Sequence, residues 1–486
     1  MLRRALPLLA ACLSAAALVG CGATHHPTHP HPTHPPATPT PTGTASATTA
    51  GSGTATGAGA PGGSATSSTG AATGGVTYGI GDAQGLFASC LPGTTNCCSL
   101  RRAHCRSSRM HGFFENPLFR QLTTARSAHR IRDVRLFVDY DAVEAWNGST
   151  TSPGCVYSPT IARPYYDIAD GYHTPGQSIQ DLVAGVIEAR AEGLTPVVSI
   201  EGFSYSTATP PGDQPFPDPT TTGGYWEYRC GLQGILGVLS RLPASEQPHA
   251  WEAVNEPDGF SVFRSSNGQE ASSCTVSATG QPNGPAKAAC AEVIASHVIH
   301  GYADHAHDTV IAGTFKHPYT SYLAPYVRLL EREMPGAAFP PTWSVHDYPE
   351  VTAGYSGAAP GPQLAAFDRA LARDSGGRAR SLWVSESGTV LTSQVRGGGC
   401  PAVGVDPADT LGACINGQPA RQAADARTFF ALPQVASAVP ITHLFWYQFQ
   451  GAPQWDSGLV DPTGRPRPAY CVFYGEGTCD GDPSAS

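Results

Sequence analysis

Eight short runs rich in β-branched and aromatic residues, separated by segments of helical periodicity, narrow the possible folds of this chain more than any other feature. The runs are residues 76–82 (VTYGIGD), 134–140 (VRLFVDY), 196–200 (PVVSI), 250–255 (AWEAVN), 309–314 (TVIAGT), 343–348 (WSVHDY), 381–385 (SLWVS) and 441–448 (ITHLFWYQ). Each is bounded by turn-forming residues, as strands are. Between them, Ile179, Leu182, Val183, Val186 and Ile187 recur at helical spacing, as do Leu232, Ile235, Leu236 and Leu239. Further helical patterns fill 117–128, 285–303, 322–333, 363–373 and 420–432. Strict alternation of strand and helix predicts a parallel sheet covered by helices. Eight repeats of the unit predict an α/β fold closed into a (β/α)8 TIM barrel. An open doubly wound sheet also alternates, but the one glycine-rich turn, Gly79-Ile80-Gly81, lacks the third glycine and the opening helix of a dinucleotide site.

The first 75 residues stand outside that pattern. Arg3 and Arg4 precede an apolar run from Ala5 to Val19, which ends in Leu18-Val19-Gly20-Cys21. A charged start, a run too short to span a bilayer, and small residues before a cleavage point predict a leader over 1–21. A cysteine directly after the small residues resembles a bacterial lipobox, which implies that Cys21 carries lipid and becomes the mature N-terminus. Residues 22–75 consist almost wholly of Pro, Thr, Ser, Gly, Ala and His. They bury too little apolar surface to offset the entropy of ordering, so a disordered tether is expected. His25, His26, His29, His31 and His34 lie in it at spacings that match no defined metal site. The expected catalytic domain is 76–486.

Charge and cysteine content agree with an exported protein. Net charge is −9, and removing Arg3 and Arg4 with the leader takes it to −11. Only Lys287 and Lys316 among the 29 basic residues are lysines, and no basic stripe occurs, so nucleic acid is not an expected partner. Setting aside Cys12 and Cys21, 12 of the 14 cysteines remain, mostly in Gly-, Pro- and Ser-rich stretches between the apolar runs. Disulfides stapling loop insertions in an oxidising compartment account for them. The spacing leaves their connectivity open, with Cys400–Cys414 and Cys471–Cys479 as candidate neighbours. A zinc cluster is disfavoured because no C-x2-C pair occurs.

In such a barrel the chemistry sits at the C-terminal strand ends. The second run carries Arg135, the fourth ends Asn255-Glu256-Pro257, the sixth holds His346 and Tyr348, the seventh leads into Glu386, and the eighth carries Trp446. Glu256 and Glu386, 130 positions apart, are placed to face each other across the mouth. Breaking a glycosidic bond needs two carboxyls: one protonates the departing oxygen, and the other attacks the anomeric carbon or activates water.

These residues resemble clan A glycoside hydrolases, nearest to families five and thirty-nine, over residues 76 to about 473. The resemblance implies that Glu256 is the general acid/base and Glu386 the nucleophile. It further implies that Asn255 binds the sugar 2-hydroxyl and that Arg135 flanks the nucleophile. His346 and Tyr348 would orient substrate and nucleophile, and Trp446 would form the aromatic floor of the subsite before the scissile bond. The segment from WDSGL at 455–459 to RPAY at 467–470 also resembles the stretch after the eighth strand in such enzymes. One departure stands out: family five carries a histidine near the end of strand three, where this chain has Glu201, a candidate subsite residue.

The expectation is therefore a retaining, β-directed glycosidase acting on an oligo- or polysaccharide. It would be an exported monomer needing no metal or organic cofactor, either held outside the cytoplasmic membrane by lipid alone or secreted after ordinary leader cleavage. The rival readings are a surface lipoprotein that binds carbohydrate without turnover, and a transglycosylase using the same two glutamates. His300, His305 and His307 read as a surface helix end. No G-x-S-x-G elbow, H-E-x-x-H pair or Walker loop supports esterase, metalloprotease or NTPase chemistry.

Overall fold

The computed structural model of the protein describes residues 75–81, 113–124, 129–157, 166–167, 171–172, 177–201, 216–258, 284–353, 360–393, 419–451 and 455–475, apart from single positions within those ranges. The chain divides into two units, Met1–Thr69 and Gly70–Ser486, and every described residue belongs to the second. The leader with Cys21, the tether, Cys400, Cys414 and Cys479 lie outside the described residues. So do the insertions 90–105, 260–283 and 397–417.

Eight parallel strands close into a barrel in chain order: β1 (Thr77–Gly81), β2 (Ile131–Asp139), β3 (Thr195–Glu201), β4 (Ala250–Glu252), β5 (Thr309–Phe315), β6 (Thr342–His346), β7 (Ser381–Ser387) and β8 (Ile441–Tyr447), with β8 pairing back onto β1. The helices are α1 (Pro117–Thr124), α2 (Gln177–Ala191), α3 (Thr222–Leu239), α4 (Pro285–His300), α5 (Thr320–Glu333), α6 (Tyr348–Ala353), α7 (Pro362–Asp374), α8 (Pro419–Ala431) and α9 (Pro468–Tyr474). All eight expected strands are present. Among the described residues, no helix is long and apolar enough to cross a membrane.

Three of the boundaries that differ from the sequence reading have a local reason. Helix α3 starts at Thr222, well before Leu232 opens the apolar periodicity, because the Thr221 hydroxyl accepts the Gly224 N–H at 3.0 Å and caps it. Gly224 is required there, since a Cβ would lie 1.9 Å from the Asp218 carbonyl oxygen. Strand β4 stops at Glu252, short of Asn255, and the chain turns so that Glu256 has φ +49°. Strand β6 stops at His346, and Tyr348 instead opens α6, where Pro349 lacks the N–H that a strand ladder would use.

Alternation along the strands builds the lumen in layers. Asp133 and His443 form its floor, where His443 stacks on Trp383 with ring centres 3.8 Å apart. Val197, Ala250, Ile311, Trp383 and Phe445 form a small apolar cluster above, separate from the main core. Strand β1 supplies glycine here because Phe445 fills the space: a Cβ on Gly79 would lie 2.4 Å from its ring. Arg135, Ser199, Glu252, Ser344 and Ser385 make the next, polar layer.

The same parity corrects one expectation. Phe445 and Tyr447 point inward along β8, so Trp446 points outward. It is fully buried against Phe429 of α8 and Phe473 of α9, and its indole N–H donates to the Ser457 carbonyl at 3.2 Å. Trp446 is therefore packing between barrel and helices, not a sugar platform.

His305 corrects a second expectation. It is fully buried, and with His249 and Trp251 it bonds to the Asp308 carboxylate at 2.7 Å each. Three donors hold that carboxyl below its ordinary range despite burial. A disulfide joins Cys155 to Cys230 of α3 with Cα atoms 5.2 Å apart, and Cys290 and Cys471 are disulfide-bonded as well.

Candidate active site

Arg135 organises the mouth. Its side chain rises from the inner face of β2 and is completely buried, a position a cation tolerates only with partners on several sides. Its Nε donates to Glu252 of β4 at 2.5 Å, and Nη1 donates to Glu386 of β7 at 2.9 Å. Nη2 donates to the Ser199 hydroxyl at 3.0 Å and to the Asn255 side-chain oxygen at 2.6 Å. Burial alone disfavours its charge, but Glu252, Glu386 and Glu201 outweigh that and hold the guanidinium protonated.

Both oxygens of Glu386 are committed. Oε2 accepts from Arg135, and Oε1 accepts the Tyr348 hydroxyl at 2.5 Å. Burial first, then the charge of Glu386, pushes the Tyr348 phenol well above its ordinary range, so it acts as a donor. Glu256 lies opposite. Its backbone N–H donates to the Thr314 carbonyl at 3.0 Å, and both residues have positive φ, +49° and +46°. Non-glycine residues rarely adopt that conformation, and it aims the Glu256 carboxyl over the mouth. His346 spans the two acids, with Nδ1 3.1 Å from Glu256 Oε1 and Nε2 3.6 Å from Glu386 Oε2. An oxygen of each glutamate and a nitrogen of this imidazole all lie within 4.8 Å of one another.

The structure thus brings Arg135, Asn255, Glu256, His346, Tyr348 and Glu386 together and leaves Trp446 out. Asn255 donates its amide to Glu201 of β3 at 3.0 Å, so the departure on strand three joins the same network. Asp258, two residues beyond Glu256, accepts the Lys316 N–H at 2.6 Å; burial and then the charge of Glu256 push its carboxyl up to about 7. Tyr348 is seated from behind: Glu350 accepts the N–H groups of Gln363 and Leu364 at the start of α7, at 2.5 and 3.1 Å. The fully buried Asp347 beside it is pushed well up by burial and then by Glu350.

Several residues of the site were absent from the sequence reading. Glu252, Ser199, Ser344 and Ser385 stand one layer below the mouth, and the period-two pattern that places them inward was the available signal. The aromatic surface at the mouth comes from Tyr447 and Phe137. Both are partly exposed, their rings are 6.4 Å apart, and Phe137 also lies 4.4 Å from the Arg135 guanidinium carbon.

Glu256, His346 and Glu386 have donor atoms close enough to chelate a cation. The fit is poor, because both Glu386 oxygens already accept hydrogen bonds and the adjoining guanidinium supplies the positive charge. In the second such group, Asp308 accepts from His249, Trp251 and His305.

No family model matches the chain, and no curated protein matches it. Solved structures that resemble it include glycoside hydrolases. One is a family 39 glycoside hydrolase from the gut symbiont Bacteroides cellulosilyticus WH2, with 14% identity and TM-score 0.42, covering 82% of this chain and 62% of that one. A second is GH5_18 from Streptomyces cattleya in complex with GlcNAc, with 12% identity and TM-score 0.45, covering 83% and 79%. A third is a beta-glucosidase from Thermotoga maritima in complex with castanospermine, with 11% identity and TM-score 0.42, covering 84% and 99%. At these scores they are likenesses and carry no activity over to this chain.

Proposed function

We propose that the protein is a retaining glycoside hydrolase cleaving a β-glycosidic bond in an oligo- or polysaccharide. One observation carries the reading: carboxylate oxygens of Glu256 and Glu386 approach within 4.8 Å across the barrel mouth. Separations of about 5–5.5 Å suit direct attack on the sugar, whereas roughly 6.5–9.5 Å leaves room for a water that inverts it.

The environments divide the labour. Glu386 is held by Arg135 and Tyr348 with an oxygen aimed at the gap, as a nucleophile needs. In the first step a Glu386 oxygen bonds to the anomeric carbon, the bond to the leaving oxygen breaks, and Glu256 delivers its proton to that oxygen. In the second, water gives a proton to Glu256, its oxygen bonds to the same carbon, and Glu386 is released. His346 keeps the two acids in register, and Tyr447 with Phe137 offers an apolar face to a pyranose ring.

The leader and tether extend this reading to an enzyme working outside the cytoplasmic membrane, anchored by lipid on Cys21. Incorporation of an alkyne-tagged fatty acid in a bacterial host, abolished by Cys21→Ala, is the expected result.

The function is tested by offering the full chain a panel of aryl β-glycosides and polysaccharides, with Glu386→Gln alongside. Hydrolysis of one substrate that vanishes in the variant is expected. Glycan binding with no turnover anywhere in the panel contradicts it and favours a carbohydrate-binding protein.

A further inference from the structure

Arg135 is shared between two carboxylates, and only one of them faces the reaction. Glu252 is completely buried one layer below the mouth, and its contacts are Arg135 Nε at 2.5 Å and the Ser344 hydroxyl at 3.5 Å. The other titratable groups around this centre are Glu386 on β7, which Arg135 reaches at 2.9 Å, Glu201 on β3, which is tied to Asn255, and His346 on β6. Behind β4 lies Glu292 of α4, whose carboxyl burial pushes up to about 8, so it stays neutral and draws no charge from Arg135. Glu252 is thus a solvent-free competitor for the cation that grips Glu386.

We propose that Glu252 is a positioning residue that sets how strongly Arg135 holds the Glu386 carboxylate. The inference rests on the double-displacement reading of Glu386. A carboxylate facing an undivided guanidinium in a dry site is better stabilised, which makes it a poorer nucleophile and a better leaving group. Sharing Arg135 with Glu252 keeps the charge on Glu386 available for attack. Removing the Glu252 charge therefore acts on the two steps in opposite senses: formation of the glycosyl-enzyme slows, and its breakdown does not. Loss of mere architecture slows both.

The experiment uses the full chain and the 2,4-dinitrophenyl form of the aryl glycoside that the wild type hydrolyses. With that leaving group the first step is fast, so kcat reads breakdown while kcat/KM reads formation. Glu252→Gln is expected to lower kcat/KM by about tenfold and to leave kcat unchanged or raised. Glu252→Asp, which keeps the charge one carbon further away, falls between, and it carries the test should the Gln variant not fold. A parallel drop in kcat and kcat/KM in either variant overturns the proposal. Absence of wild-type turnover is a failure of the hydrolase reading, and a crystal structure of the variant then decides. Arg135 kept on Glu386 Oε2 is the expected result, and a guanidinium withdrawn from Glu386 is the contrary one.

Discussion

The two ends of the barrel lumen treat buried charge in opposite ways. At the floor, Asp133 and His443 approach to 3.6 Å. Burial pushes the acid up to about 7 and the base down to about 4, although a quarter of the His443 side chain reaches solvent. Burial disfavours the charged form of each. At the mouth, Arg135 is at least as deeply buried and keeps its charge, because Glu252 and Glu386 lie within hydrogen-bond reach. Burial strips a charge unless a counter-charge is built beside it. Here the counter-charges converge at the end where the strands present Glu256 and Glu386.

The comparison breaks first at the glutamates. Glu256→Gln and Glu386→Gln are each expected to lower turnover by at least about a thousandfold, with melting temperatures near wild type. A collapse of stability with specific turnover intact would make the mouth as structural as the floor.

The next effect separates neighbours on β8. Trp446→Ala removes a fully buried ring between the barrel and α8 and α9, and should cost about 4 kcal/mol in denaturant unfolding while the folded fraction keeps its turnover. Tyr447→Ala should do the reverse, raising KM about tenfold with little loss of stability. Tyr348→Phe removes one donor from Glu386 and should lower kcat by roughly tenfold, measured at saturating substrate.

The smallest effect is at the floor. The raised Asp133 contributes stability that is complete below its unfolded value near about 4 and is lost as pH rises through about 7. The lowered His443 contributes stability that is complete above its unfolded value near about 6.5 and is lost as pH falls through about 4. Between those limits the two slopes oppose each other. His443→Phe should leave a melting temperature that falls as pH rises across that window, and Asp133→Asn one that rises. Parallel slopes in the two variants would mean that the floor is charged like the mouth.

Much of the barrel was legible because it is repetitive: eight runs, each with its own turn chemistry, predict eight strands. The two glutamates were legible because Asn255-Glu256 and Glu386 fall at run ends, where parallel barrels place chemistry. Hydrophobicity and aromatic content identified strands but not which face each residue took. The family resemblance implies a mouth position for Trp446, whereas the inward set His443, Phe445 and Tyr447 assigns that face to Tyr447. Glu252 was invisible for a related reason, since its role depends on Arg135, 117 positions away. The early end of β6 followed from Pro349, and the early start of α3 from a threonine cap preceding two glycines that dilute the helical pattern.

The central claim is double displacement between Glu256 and Glu386. Its most direct test is the proton NMR signal of the anomeric position in the sugar first released from an aryl β-glycoside by the full chain, read before mutarotation. Two successive inversions predict that the β-anomer appears first. An α-anomer appearing first would contradict the account.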